Sequence, residues 1–210
     1  PTAGIFYKFD GFYLIKCSAE WPFRTLFWMI GGLDGTPLIN DTPSSYNLID
    51  PINGRNKDIR IIDCDFNGGY NRMDATSPFH FNACEDVVIE GGKNNSCLGW
   101  YFDTYNKNIR VNQADVVVTD PNVVLDRIND TSKPEMLAMY VGQNSYDIEV
   151  NGGLWKDYGD MGLYVEGGSQ VRLNRVRSRH TNSNNVATNV ILQPNWRTNT
   201  GEFGYMANVA

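Results

Sequence analysis

Residues 139–181 read MYVGQNSYDIEVNGGLWKDYGDMGLYVEGGSQVRLNRVRSRHT. Two phrases in this stretch share one form, polar, apolar, any, apolar: Asp147-Ile148-Glu149-Val150 and Gln170-Val171-Arg172-Leu173. The apolar members of each are spaced by two, so each phrase is a strand with one buried face. Upstream the phrase recurs at Asp58-Ile59-Arg60-Ile61, Asp86-Val87-Val88-Ile89 and Asn108-Ile109-Arg110-Val111. Successive copies are 28, 22, 39 and 23 residues apart. A repeat of this length made of strands rather than helices indicates a solenoid.

A second strand precedes each phrase. Phe79-His80-Phe81, Trp100-Tyr101-Phe102, Met139-Tyr140-Val141 and Leu163-Tyr164-Val165 are apolar at their outer members, and Val190-Ile191-Leu192 reads as the next. Their middle members, His80, Tyr101, Tyr140, Tyr164 and Ile191, are expected to point outward, as are Arg60, Val88, Arg110, Glu149 and Arg172 of the phrases. Asn112, Asn151 and Asn174 fall in equivalent turns and are expected to stack as a hydrogen-bonded ladder beside Glu90. A third short strand follows each phrase, at Cys64 and Phe66, Ala114 and Val116, Gly153 and Trp155, and Val176 and Ser178. Three short strands per coil is the plan of a parallel β-helix, each coil rising roughly 4.8 Å along the axis.

The remaining sequence fits this plan. An apolar fraction of 41% with 12% aromatic residues supports a real core, and 20 glycines suit a chain that turns often. The net charge of −6 argues against a nucleic-acid partner, which asks for a clustered basic surface. No apolar run is long enough to span a membrane. Cys17, Cys64, Cys84 and Cys97 follow no metal-ligand spacing, so free, buried thiols and no metal or cofactor are expected.

Residues 1–43 read as an N-terminal capping segment, and residues 44–210 as the β-helix. The chain opens on Pro1 and ends without a polar cap, which reads as a processed chain or a piece of a longer one. Ile5–Phe9, Asp10-Gly11 and Phe12–Lys16 read as a hairpin or as a tight corner within an early coil. Trp21, Phe23, Phe27 and Trp28 suit either a cover for the open end of the solenoid or a sugar-stacking platform. The long step between phrases places an insertion at about Val117–Glu135 and the 28-residue step a smaller one at about Gly68–Ser77. In solenoids such loops gather on one face, often the binding face.

The Φ-x-Φ triplets, the x-Ile-x-Ile/Val-x-Gly/Asn phrases and Gly159-Asp160-Met161-Gly162 leading into a strand resemble the right-handed parallel β-helix family. That family includes pectate lyases, family 28 glycosidases and bacteriophage tailspikes. The resemblance covers about residues 44–195 and is most like a tailspike. It implies a virion-tail, extracellular protein, homotrimeric, that binds bacterial surface polysaccharide and often cleaves it. The calcium and arginine motifs of pectate lyases are not recognisable. The paired aspartates of family 28 are also missing, since Met161 stands where the second would fall.

A hydrolase needs two carboxylates across a glycosidic bond, one to protonate the leaving oxygen and one to activate water or attack. The candidates are Asp157, Asp160 and Glu166, with Asp103 in the same outward column as Glu166, roughly 9–10 Å from it by strand spacing. His80, Tyr101, Tyr140 and Tyr164 form either a sugar groove or a subunit interface. Arg110 and Arg172 are candidate contacts to an acidic glycan, or the charge neutraliser of a lyase. Against the hydrolase stand a non-catalytic receptor-binding or structural rod, and a polysaccharide lyase.

Overall fold

The computed structural model describes residues 2–7, 9–20, 25–31, 54–68, 77–96, 98–117, 137–156, 161–165, 169–179, 188–192 and 204–209. Among them the chain is all β, with no helix. In chain order the strands are Thr2–Tyr7 (β1), Asp10–Ile15 (β2), Ser18–Glu20 (β3), Thr25–Ile30 (β4), Asn56–Ile62 (β5) and Asp65–Asn67 (β6). There follow Ser77–Asn82 (β7), Cys84–Glu90 (β8), Lys93–Asn95 (β9), Leu98–Phe102 (β10), Lys107–Asn112 (β11) and Asp115–Val117 (β12). The last are Leu137–Val141 (β13), Tyr146–Asn151 (β14), Leu154–Lys156 (β15), Met161–Val165 (β16), Gln170–Arg179 (β17), Thr188–Leu192 (β18) and Gly204–Val209 (β19).

Among the described residues every strand pair is parallel, and no strand pairs with the one that directly follows it in the chain. A seven-stranded sheet runs β1-β4-β7-β10-β13-β16-β18. A twelve-stranded sheet holds two ladders, β2-β5-β8-β11-β14-β17 and β3-β6-β9-β12-β15-β17, which meet in the long strand β17, and β19 pairs β17. Long parallel sheets visited in rotation are consistent with a β-solenoid.

The registers follow the repeated phrases. Ile59, Val87, Ile109, Ile148 and Val171 are aligned in one column, and Ile61, Ile89, Val111, Val150 and Leu173 in another. All ten are buried in one core with Phe79, Phe81, Trp100, Phe102, Met139, Leu163 and Trp155. Burying an aliphatic side chain of this size stabilises by about 1.5–3 kcal/mol, so these columns dominate the favourable side of folding.

The polar first member of the phrase has a backbone reason. Asp58, Asp86, Asn108 and Asp147 have φ of 53°, 58°, 51° and 54°. Asp and Asn tolerate this left-handed conformation best among residues with a side chain. A second corner repeats it at Lys16, Asp63, Gly91, Gln113, Gly152 and Arg175. There the amides of the first five donate to the next strand of the ladder, as from Asp63 to the Glu90 carbonyl and from Gly91 to that of Asn112, both at 2.8 Å. The expected asparagine ladder forms: Asn151 Nδ2 donates to Asn112 Oδ1 at 3.1 Å and Asn174 Nδ2 to Asn151 Oδ1 at 2.8 Å.

Of the two readings of Asp10-Gly11, the hairpin is overturned and the corner between strands of two sheets stands. β1 pairs with β4 and β2 with β5, both in parallel, so Asp10-Gly11 follows a corner instead of joining antiparallel partners. The cause is aromatic: Phe6 and Phe12 pack edge to face at 5.2 Å and both meet Phe27, which holds β1 and β2 on different sides of one core. The strands of residues 2–30 thus supply the first strands of both sheets, while the expected boundary at 43/44 and both insertions lie outside the described residues. Cys64 and Cys84 are free and buried as expected, but Cys17 is exposed, because it sits on the corner after β2. Cys97 lies outside the described residues.

Candidate functional site

Parallel pairing without slippage stacks the middle member of each Φ-x-Φ triplet on the next. Trp28, His80, Tyr101, Tyr140, Tyr164 and Ile191 are successive register partners in the seven-stranded sheet, and the first five share its outer face. Trp28 and His80 stack at 4.6 Å with 19° between planes, and Tyr101 meets His80 edge to face at 4.5 Å. Tyr101 and Tyr140 stack at 4.4 Å and 8°, Tyr140 and Tyr164 at 5.4 Å and 9°. These separations match the strand spacing of about 4.8 Å, so the backbone itself dictates the stack. The column is graded: Trp28 is 4% and His80 8% exposed, whereas the three tyrosines are half-buried. Because the ring faces lie on one another, the edges are what the column turns outward.

Asp103 sits at the half-open part of this column. His80 Nε2 lies 2.9 Å from Asp103 Oδ2, and Asn82 Nδ2 donates to the same oxygen at 3.1 Å. The Asn82 amide is oriented by Thr104, whose hydroxyl donates to Asn82 Oδ1 at 2.9 Å. The Asp103 side chain is 23% exposed and that of His80 10%, so the carboxylate, not the imidazole, is what a ligand can reach. In the next round the position beside Asp103 is Gly142. A Cβ there would stand 2.3 Å from the Asp103 carbonyl oxygen, so the backbones approach too closely for any side chain. The round after Asp103 is therefore bare at that place.

The turn beneath is a buried polar ladder. Asn106 Oδ1 accepts from the Cys84 amide at 3.1 Å, Ser145 Oγ from the Asn106 amide at 3.2 Å, and Ser169 Oγ from the Ser145 amide at 3.2 Å. Ser145 also donates to the Asp103 carbonyl at 3.3 Å and Ser169 to that of Gly142 at 2.7 Å. Asp103 and Gly142 are thus held by hydrogen bonds inside the fold as well as by their strands.

The arginines divide into two groups. Arg60 pairs with Asp58 at 2.8 Å and donates to the Asp86 carbonyl at 2.7 Å. Arg110 repeats the pattern one strand pair later, meeting Asp147 Oδ1 at 3.0 Å, its carbonyl at 2.8 Å and Glu149 at 3.4 Å. Lys107 lies opposite Glu85, and that carboxylate at 2.8 Å holds its ammonium pKa above the ordinary value. Arg172 is 54% exposed and only 4.0 Å from Glu149. A separate shallow groove lies on the third ladder, among Glu20, Asp65, Asn67, Lys93 and Asn95, away from the aromatic column.

No protein-family model matches this chain, and neither a curated protein nor a solved structure shows significant similarity to it. The site is therefore read from its own geometry. Of the candidate residues, His80, Tyr101, Asp103, Tyr140 and Tyr164 are brought together, while Arg110 and Arg172 stand on the outer face of the second ladder. Asp157, Asp160 and Glu166 lie outside the described residues, as do Trp21 and Phe23. Sequence reasoning missed Trp28 as the first ring of the column, although Phe27-Trp28-Met29 has the same Φ-x-Φ form. It also missed the bonds of Asn82 and Thr104 that support Asp103, although Asn82 follows its Φ-x-Φ triplet as Asp103 follows the next. Among the described residues no cluster of His, Cys, Asp or Glu has the arrangement of a metal site.

Proposed function

We propose that this chain is part of a tailspike-like, right-handed parallel β-helix. In this reading it binds a bacterial surface polysaccharide along the column from His80 to Tyr164 and hydrolyses it at Asp103. A right-handed path is the sense that crossovers between parallel strands almost always take. The observation that carries the reading is Asp103: a part-exposed carboxylate held by His80 and Asn82, beside a bare Gly142 and a row of tyrosine edges. Such a row offers apolar contact to sugar C–H groups, and a fixed carboxylate is one half of a glycosidase pair. Asp157, Asp160 and Glu166 are the candidates for the other half. The protein works in this reading as a homotrimer on a virion tail, outside the cell.

A second reading is favoured by the ring geometry. Since the tyrosines spend their faces on one another, the column also suits packing against a sister chain in a non-catalytic receptor-binding rod. A lyase is less well supported, because Arg60 and Arg110 are already ion-paired. The test is reducing-end release from a panel of bacterial surface polysaccharides, with binding measured in parallel. Asp103→Asn is expected to lower cleavage by about 10²–10⁴-fold, the usual share of a general acid or base, while binding persists. Unchanged cleavage in that variant would remove Asp103 from the chemistry. A trimer that cleaves nothing would leave the rod.

A further inference from the structure

The strand β17 carries four exposed arginines, Arg172, Arg175, Arg177 and Arg179, in a protein whose net charge is −6. The last three differ from Arg60, Arg110 and Arg172. Arg60 and Arg110 each meet a carboxylate within 3.0 Å, whereas Arg175, Arg177 and Arg179 form no ion pair among the described residues. In the register, Arg110 and Arg172 both lie opposite Glu149, but Arg179 lies opposite Lys156. Like charges on adjacent strands are unfavourable. Arg175 stands at the second corner with φ of 57°, a position that Lys16, Asp63, Gly91, Gln113 and Gly152 take elsewhere.

The alternation along β17 gives these charges a common direction. Val176 is buried and Ser178 half-buried, while Arg177 and Arg179 are exposed on the other side, about 6.6 Å apart at two residues of parallel strand. Arg175 lies at the corner beside β19, and Arg177 and Arg179 continue the row past it at one end of the third ladder, where β15 is their described pairing partner. Guanidinium pairs with carboxylate or phosphate in planar, bidentate fashion, which is a match for repeating acidic units.

We propose that Arg175, Arg177 and Arg179 form an anion-binding surface for an acidic polysaccharide. The inference rests on the glycan reading above and narrows it to chains bearing carboxylate groups. The alternative role is edge protection, since charges on an outermost strand discourage sheet-to-sheet association.

The experiment uses the full chain and the Arg175→Gln/Arg177→Gln/Arg179→Gln variant, with polysialic acid and polygalacturonate as acidic probes, dextran as the neutral one and duplex DNA as a competing polyanion. Binding to an acidic glycan is expected to weaken at least about tenfold in the variant, and to weaken with salt in the wild type. A variant that binds acidic glycan like the wild type but self-associates would overturn the proposal in favour of edge protection. Tighter binding to DNA than to either acidic glycan would overturn the ligand class. Binding of dextran alone, untouched by the variant, would sink this inference and leave the glycan reading standing. Binding of acidic glycan that needs the arginines, without any cleavage, would sustain the inference while the hydrolase reading falls.

Discussion

Replacing Asn151 with alanine removes the middle of the asparagine ladder, and the structure sets how much that should matter. Asn151 donates to Asn112 at 3.1 Å and accepts from Asn174 at 2.8 Å, so two side-chain bonds between successive strands are lost. At about 0.5–1.5 kcal/mol net per bond the loss is about 1–3 kcal/mol. Its half-buried position lets water replace part of each bond, which favours the lower half of that range. Asn174 keeps its second bond, to Glu149 at 2.8 Å, and is not left bare. Asn112→Ala removes only the bond to Asn151, so it should be the milder variant at about 0.5–1.5 kcal/mol. The two single losses count that shared bond twice. The double variant should therefore fall short of their sum by about one bond, about 0.5–1.5 kcal/mol. Urea unfolding followed by far-UV circular dichroism reads all three. If Asn151→Ala is no worse than Asn112→Ala, or if the double variant is simply additive, the ladder does not contribute as argued.

Two further predictions concern the core and the thiols. Phe81 is fully buried and stacks on Phe79 at 5.4 Å and on Phe102 at 5.0 Å; Phe81→Ala should cost about 3–5 kcal/mol and Phe81→Leu distinctly less, by urea unfolding. Similar losses for the two variants would contradict the stacked packing. Burial pushes the Cys84 thiol from its ordinary 9.0 up to about 12, whereas Cys17 is exposed. Iodoacetamide at mildly alkaline pH should label Cys17 in the native protein and spare Cys84, read by peptide mass spectrometry. A raised folded pKa means that the stability is whole below pH 9.0 and is lost as pH climbs towards about 12; Cys84→Ala should flatten that alkaline decline. Equal labelling of the two thiols would refute the burial argument.

The repeated phrases make much of the fold legible, because alternation tells which side of a strand is apolar. Ile59, Val87, Ile109, Ile148 and Val171 could be aligned by that rule, and they share one buried column. Asp10-Gly11 left a hairpin and a coil corner equally open, because local turn chemistry cannot register a core that Phe6, Phe12 and Phe27 complete from separate strands. At the site, the tyrosine column was visible for the same reason as the core: its members are spaced with the repeat. The repeat also sets His80 and Asn82 one strand from Asp103, but their hydrogen bonds to it depend on side-chain reach across the register, which spacing alone does not give.

By itself, the sequence determined that strands would stack in parallel with like positions aligned, since the Φ-x-Φ spacing assigns each side chain to a face and the phrases recur at the spacing of a strand repeat. Only the tertiary structure decided what lies next to what on the outer faces. It buries Trp28 and His80 on a face that periodicity marks as outward, and brings Asp103 against His80 and Asn82. It also ties up Arg60 and Arg110 while leaving Arg177 and Arg179 exposed. The physical reason is that facing is a property of one strand, whereas neighbours depend on the register between rounds of unequal length. Charge and hydrogen bonding act over a few ångströms across that register, not along the chain.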